Sequence, residues 1–235
     1  MKTLDNNSIF FNGYLSTDLK LFFKDKPSIE KLNEDYDTED VEGRNGSLYI
    51  NKGTYRDRKL SINFRLIAKD VYKTFEFIEN WLMTSKENRL FYGSNEKVYI
   101  VKKVILNSLQ IEVKSVGNFT VDFICKPFRQ SPEPFIYKYT QTPSFFYQGD
   151  FEAEPIVTIV GSGNIQIAFN SEEFTVNNVV TSVTINTELM TCKLADGSYT
   201  NWNGNFPTIQ KGKNTVSVTS GTVTEITTEF YALYR

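Results

Sequence analysis

From Arg58 to Ile67 the chain alternates with a period of two. Leu60, Ile62, Phe64 and Leu66 fall on one face, and Lys59, Ser61, Asn63 and Arg65 on the other. Successive side chains of an extended backbone point to opposite sides, so this pattern predicts a half-buried antiparallel strand whose polar face is wet or meets a partner. The period then changes. Across Asp70–Lys86, Val71, Phe75, Ile78 and Leu82 recur at i, i+4, i+7 and i+11, one stripe of a helix. Tyr72 and Trp81 are expected to widen that stripe, and the carboxylate of Asp70 to cap the first free N–H groups. Phe75, Ile78 and Leu82 are therefore expected as core residues of a helix laid on a sheet.

The flanking runs predict strands. Ser8–Phe11 and Leu19–Phe23 are split by Asn12-Gly13. Leu48–Ile50 is followed by Asn51-Lys52-Gly53-Thr54, expected to turn the chain back. Arg89–Tyr92 and Val98–Val104 flank Gly93-Ser94-Asn95, and Leu106–Val113 pairs with Asn118–Cys125, giving roughly seven strands around the helix. Residues 24–42 differ. Between Glu30 and Glu42, seven carboxylates stand against one base, Lys31. Such a stretch has little to bury, which predicts a long solvated loop, with ordering against a basic partner surface as the alternative.

Pro127, Pro132, Pro134 and Pro143, interspersed with Phe135, Tyr137 and Tyr139, mark a junction. The expected organisation is an N-terminal β-rich domain with one α-helix over residues 1–130, then a linker or crossing edge strand over 131–144. A C-terminal β-sandwich follows over 145–235. In that last part, short β-type runs are separated by Gly161, Gly163, Gly197, Gly204, Gly212 and Gly221, the spacing of a two-sheet antiparallel sandwich. The fold class is mainly β.

Composition narrows the function. Aromatic residues make up 14% of the 235 residues, which suits sheets. The net charge of -2 lacks the basic surplus of a non-specific nucleic-acid binder. It is unevenly spread: residues 1–130 carry 21 Lys/Arg and 18 Asp/Glu, and residues 131–235 carry 5 and 10. Cys125 and Cys192 are too few for a disulfide scaffold and are expected as buried thiols in a reducing compartment. The N-terminus lacks the apolar run of a signal peptide, and no window reaches membrane-spanning length. A soluble protein made in the cytoplasm, without membrane insertion, is expected.

No histidine occurs, which removes Ser–His and Cys–His catalysis and His-based metal sites. Gly161-Ser162-Gly163 lacks the third glycine and the helix of a dinucleotide loop. Glu172, with Glu173, Asp196, Glu225 or Glu229, offers carboxylates for glycoside cleavage but no spacing that places two across a sugar. The acidic run at Asp35 does not match an ordered calcium loop. The reading is no enzyme, no catalytic residues, no cofactor and no metal. Trp202, with Tyr199 nearby, is either a sugar-stacking pair or a plug at the end of the core or at an interface. Arg44, Arg56 and Arg58 are either solvated strand ends or inter-subunit salt-bridge donors, for which the guanidinium fork is well suited.

Three stretches resemble a known family. Gly43-Arg44-Asn45-Gly46 and Gly53-Thr54-Tyr55-Arg56-Asp57-Arg58-Lys59-Leu60-Ser61-Ile62, then the helix, then Phe119–Pro127, resemble the N-terminal half of the distal tail protein (Dit) family of long-tailed non-contractile phages and related prophages. Ala153-Glu154-Pro155-Ile156-Val157-Thr158-Ile159, Asp196-Gly197, Asn205-Phe206-Pro207, Lys211-Gly212-Lys213-Asn214 and Gly221 resemble its C-terminal half. The resemblance implies a hexameric ring hub at the tail tip of the virion. The N-terminal belt would stack between the tail tube protein and a tail-tip or tail-associated protein. A galectin-like C-terminal domain would project outward, where it can carry a receptor-binding protein. It further implies that Arg44, Arg56 and Arg58 lie in the ring-forming domain and Trp202 in the outer one. The second half has no room for a separate sugar-binding insertion, so scaffolding is favoured over the alternative, a carbohydrate-binding adhesion module.

Overall fold

Residues 7–84, 87–93, 95–140 and 143–235 are described by a computed structural model, and they group into two compact units, Met1–Arg129 and Gln130–Arg235. Both are mostly β, and a single α-helix occurs among the described residues.

In the first unit the strand Arg58–Ile67 pairs antiparallel over its whole length with Val116–Cys125, from Arg58↔Cys125 to Ile67↔Val116. This register puts Leu60, Ile62, Phe64 and Leu66 on the same buried face as Phe119, Val121 and Phe123. A one-residue slip would send every one of them to solvent, so burial itself fixes the pairing. Nine strands form the sheet system, with Leu21–Phe23 at one end and Tyr14–Leu15 at the other.

The helix runs Val71–Met83, with Asp70 as N-cap accepting from the Lys73 N–H at 3.1 Å. Ser85 and Lys86, the expected end of the helix, lie outside the described residues, as does Ser94 of the expected turn. Val71, Ile78, Trp81 and Leu82 are buried and Phe75 is half-buried against Phe119, ring centres 5.0 Å apart. Tyr72 departs from expectation, being 72% exposed. At about 100° per residue, Tyr72 and Trp81 flank the stripe on opposite sides. The helix rolls toward Trp81, whose indole N–H donates to the Phe11 carbonyl at 2.9 Å.

The acidic stretch is not a loop. Glu34–Glu39 pairs with Leu48–Tyr55 as a separate two-stranded arm, from Glu34↔Tyr55 at its base to Glu39↔Leu48 near its tip. Nor does the chain turn back at residues 51–54, where it continues as strand. The turn lies between Glu39 and Leu48, where Gly43 and Gly46 both adopt φ of 80°, open to glycine at no steric cost. Both faces of the arm are solvated, so no hydrophobic alternation announces it.

The second unit is built on two long bent strands, Ile156–Phe169 and Gly212–Phe230. Their outer halves, 156–160 and 226–230, lie in one layer with Phe135–Tyr139, Ser182–Asn186 and Thr191–Leu194. The other halves, 163–169 and 212–220, lie in a second layer with Ser144–Tyr147, Glu172–Val179 and Trp202–Gly204. One hydrophobic core, including Val157, Ile159, Ile167, Phe174, Ile185 and Ile226, draws on both layers, a sandwich-like arrangement. Each long strand was expected as two runs separated by a glycine turn, but the glycines are bends. At Gly221 (φ 92°) a Cβ would stand 2.8 Å from the Asn164 carbonyl oxygen, and at Gly161 2.3 Å from that of Thr222. The segment 135–139 belongs to this unit as an edge strand.

Candidate functional site

No group of His, Cys, Asp and Glu among the described residues could hold a metal ion. Cys125 and Cys192 are buried, unbridged, and sit one in each unit. Burial pushes both thiols up to about 12, away from the thiolate that nucleophilic chemistry requires. Two depressions lie on the first unit. One, of about 420 Å³, is polar, with Asn63, Gln110, Asn118 and Thr120 among its lining residues; the other, of about 510 Å³, runs between Phe75, Glu79 and Met83 of the helix and the strand Tyr99–Leu106.

The charged chemistry is concentrated at the arm. Arg56 Nε donates to Asp35 Oδ1 at 2.7 Å, Arg56 Nη2 lies 2.7 Å from the same oxygen, and Lys52 Nζ lies 2.6 Å from Asp37 and 3.6 Å from Asp35. The Arg56 hydrogen bond holds the Asp35 carboxyl below its ordinary range, and Asp37 raises the Lys52 ammonium. Glu34 accepts from Tyr36 Oη and, at 2.9 Å, from Asn51 Nδ2. Asp35 and Asp37 are thus paired with Lys52 and Arg56, and Glu34 is hydrogen-bonded within the hairpin.

The three arginines do not form one cluster. Arg44 is exposed at the tip turn, its backbone N–H donating to the Val41 carbonyl at 3.1 Å, and its side chain has no partner among the described residues. Arg56 is engaged at the base of the arm. Arg58 is not a solvated strand end: it occupies the core face of its strand and is 7% exposed. The alternation runs from Arg58 onward, which puts Arg58 on the same face as Leu60 and Ile62.

Tyr199 and Trp202 have different partners. Tyr199 is 69% exposed beneath Lys193, whose ammonium lies 5.2 Å from the ring centre. Trp202, on the short edge strand Trp202–Gly204, stacks on Phe174 at 5.7 Å and meets Phe206 edge-on at 4.6 Å, leaving it 43% exposed. It closes the end of the core and shows one side to solvent. Sequence reasoning missed Asn214, fully buried beside this core. Its amide accepts from the Gln210 N–H (2.8 Å) and donates to the Gln210 (2.7 Å) and Gly212 (3.2 Å) carbonyls.

Residues 14–125 match the family model of the phage tail protein RIFT-related domain. The matched residues fall within the first unit. The whole fold resembles the crystal structure of the SPP1 Dit (gp 19.1) protein, described as a paradigm of the hub adsorption apparatus in phages that infect Gram-positive bacteria. The TM-score is 0.61 at 12% sequence identity, over 97% of this chain and 99% of that one. None of the curated proteins matches the chain. At this identity the Dit likeness is one of fold, and it spans both units, whereas the family match covers the first. No helix among the described residues is long and apolar enough to cross a membrane.

Proposed function

We propose that this protein is a structural component of a phage tail tip, a hub between the tail tube and the proteins that contact the host. The observation that carries the reading is the two-unit fold shared with SPP1 Dit from one end to the other, joined to the tail-domain match over residues 14–125. In this reading residues 1–130 form the belt of a homo-hexameric ring. The belt stacks on a tail tube protein on one side and a tail-tip or tail-associated protein on the other. Residues 145–235 form a galectin-like outer domain that carries a receptor-binding protein, reached through the strand segment 131–144. The protein is made in the host cytoplasm and ends in the virion, at the distal end of the tail.

Two features support a scaffold over a catalyst. The charges at the base of the arm are spent on structure, Asp35 with Arg56 and Lys52, and ring subunits need two unlike surfaces that meet head to tail. A two-stranded arm standing off the sheet system supplies one such surface. Immunogold labelling of intact particles with antibody against this chain tests the placement. Label is expected at the tail end distal to the capsid, and label spread along the tube or on the capsid would contradict the proposal.

A further inference from the structure

Arg58 begins the core-facing series of its strand, and no side chain of the described residues pairs with it, although its Nε is out of reach of solvent. Cys125 lies opposite in register, and Arg129, whose guanidinium lies 5.8 Å from the centre of the Tyr99 ring, adds a like charge. An arginine keeps its charge inside a protein, and a largely buried one with no counter-charge and a sealed Nε is unfavourable. The single protomer therefore leaves an electrostatic demand unmet at one defined place.

The same chain carries carboxylates with no partner. Glu39, Asp40 and Glu42, around the 44%-exposed Val41, are exposed at the arm tip and make no side-chain ion pair or hydrogen bond among the described residues. They cannot satisfy Arg58 in the same molecule. Arg58 follows the arm's base at Tyr55 by three positions, and the ladder from Glu34↔Tyr55 to Glu39↔Leu48 holds the tip roughly 20 Å away at the rise of an extended strand. The ion pairs of Lys52 and Arg56 keep the arm in this form before any contact is made, which lowers the ordering cost of docking.

We infer that Arg58 is the receptor for the acidic arm tip of a second copy of this chain, a tip carboxylate closing on the guanidinium as a charge-assisted pair. The contact joins two different patches, so it is heterologous and propagates from copy to copy. It rests on the ring reading and specifies its closing contact.

The test places a photo-cross-linker at the tip of the full-length protein, Val41→p-benzoylphenylalanine, with digestion and mass spectrometry after irradiation and electron microscopy of the same sample. Intermolecular cross-links to peptides containing Arg58, Tyr99 or 125–129 are expected. Arg58→Met should reduce their yield about tenfold or more without lowering the melting temperature, because methionine fills the site without a charge. Asp40→Asn with Glu42→Gln should reduce it from the other side and leaves the buried site untouched, so it decides the matter should Arg58→Met fail to fold. Rings whose cross-links land elsewhere, or yields unchanged in these variants, overturn this contact and leave the ring standing. Protein that neither cross-links nor forms rings, alone or beside tail partners, overturns both.

Discussion

The side-chain amide of Asn12 donates to the Trp81 carbonyl at 2.9 Å, and to that of Thr84 at 3.2 Å, so a turn near the N-terminus caps the far end of the helix. Trp81 answers with its indole bond to Phe11. The last carbonyls of a helix have no internal donor, and here a residue 69 positions away supplies one. Asn12→Ala should lower unfolding free energy by about 1–2 kcal/mol, read from urea denaturation followed by tryptophan fluorescence. An unchanged midpoint would show the cap to be replaceable by water.

The helix face predicts a graded response. Ile78 is fully buried, whereas Phe75 is half-buried at the edge of the depression beside Tyr99–Leu106. Ile78→Ala should cost about 2–5 kcal/mol through lost burial and a cavity, and Phe75→Ala about 1–3 kcal/mol because its pocket can partly refill with solvent. Equal losses, or a Phe75→Ala protein with an unchanged melting temperature, would mean the helix faces another way.

What the sequence disclosed follows from which interactions leave a local pattern. Arg58–Ile67 and Val71–Met83 were legible because one face of each is buried, and periodicity records burial. The arm was not, because Glu34–Glu39 and Leu48–Tyr55 are held by backbone pairing and cross-strand charge with solvent on both faces. Arg58 was assigned to the surface by residue type, although its place in the alternation put it on the core face. Asn214 gave no signal, since its value comes from partners brought close only by the tertiary chain path. The glycines of the second unit were seen but taken as turns, because a bend and a turn ask for the same freedom.

The thiols predict an alkaline limit. The ordinary thiol value is 9.0, and burial holds Cys125 and Cys192 near 12 in the folded protein. Below 9 both folded and unfolded chains keep these protons, so this contribution to stability is intact. Between 9 and about 12 the unfolded chain releases them while the native one does not, so stability should fall as pH rises. Correspondingly, a thiol-specific disulfide reagent at pH 8 should leave both cysteines unmodified until urea is added. Rapid labelling of the native protein would contradict their burial.

Arg56→Glu tests the arm apart from the core. The substitution sets a like charge against Asp35 at the arm's base, 63% exposed at the arginine side chain, and touches no core residue. The melting temperature should move by no more than about 2 °C, as expected for a surface change, while self-association weakens because the arm is no longer held in position. A folded variant that associates as well as the wild type would remove the arm's base from the assembly contact.

The central claim is that copies of this chain close into a six-membered ring. Mass photometry of the purified full-length protein over a concentration series, alone and with the tail tube and tail-tip proteins proposed as its partners, measures this most directly. The account predicts a population at six times the 27.1 kDa protomer mass that grows with concentration or with a partner present. A species that stays monomeric at every concentration and with both partners would contradict it.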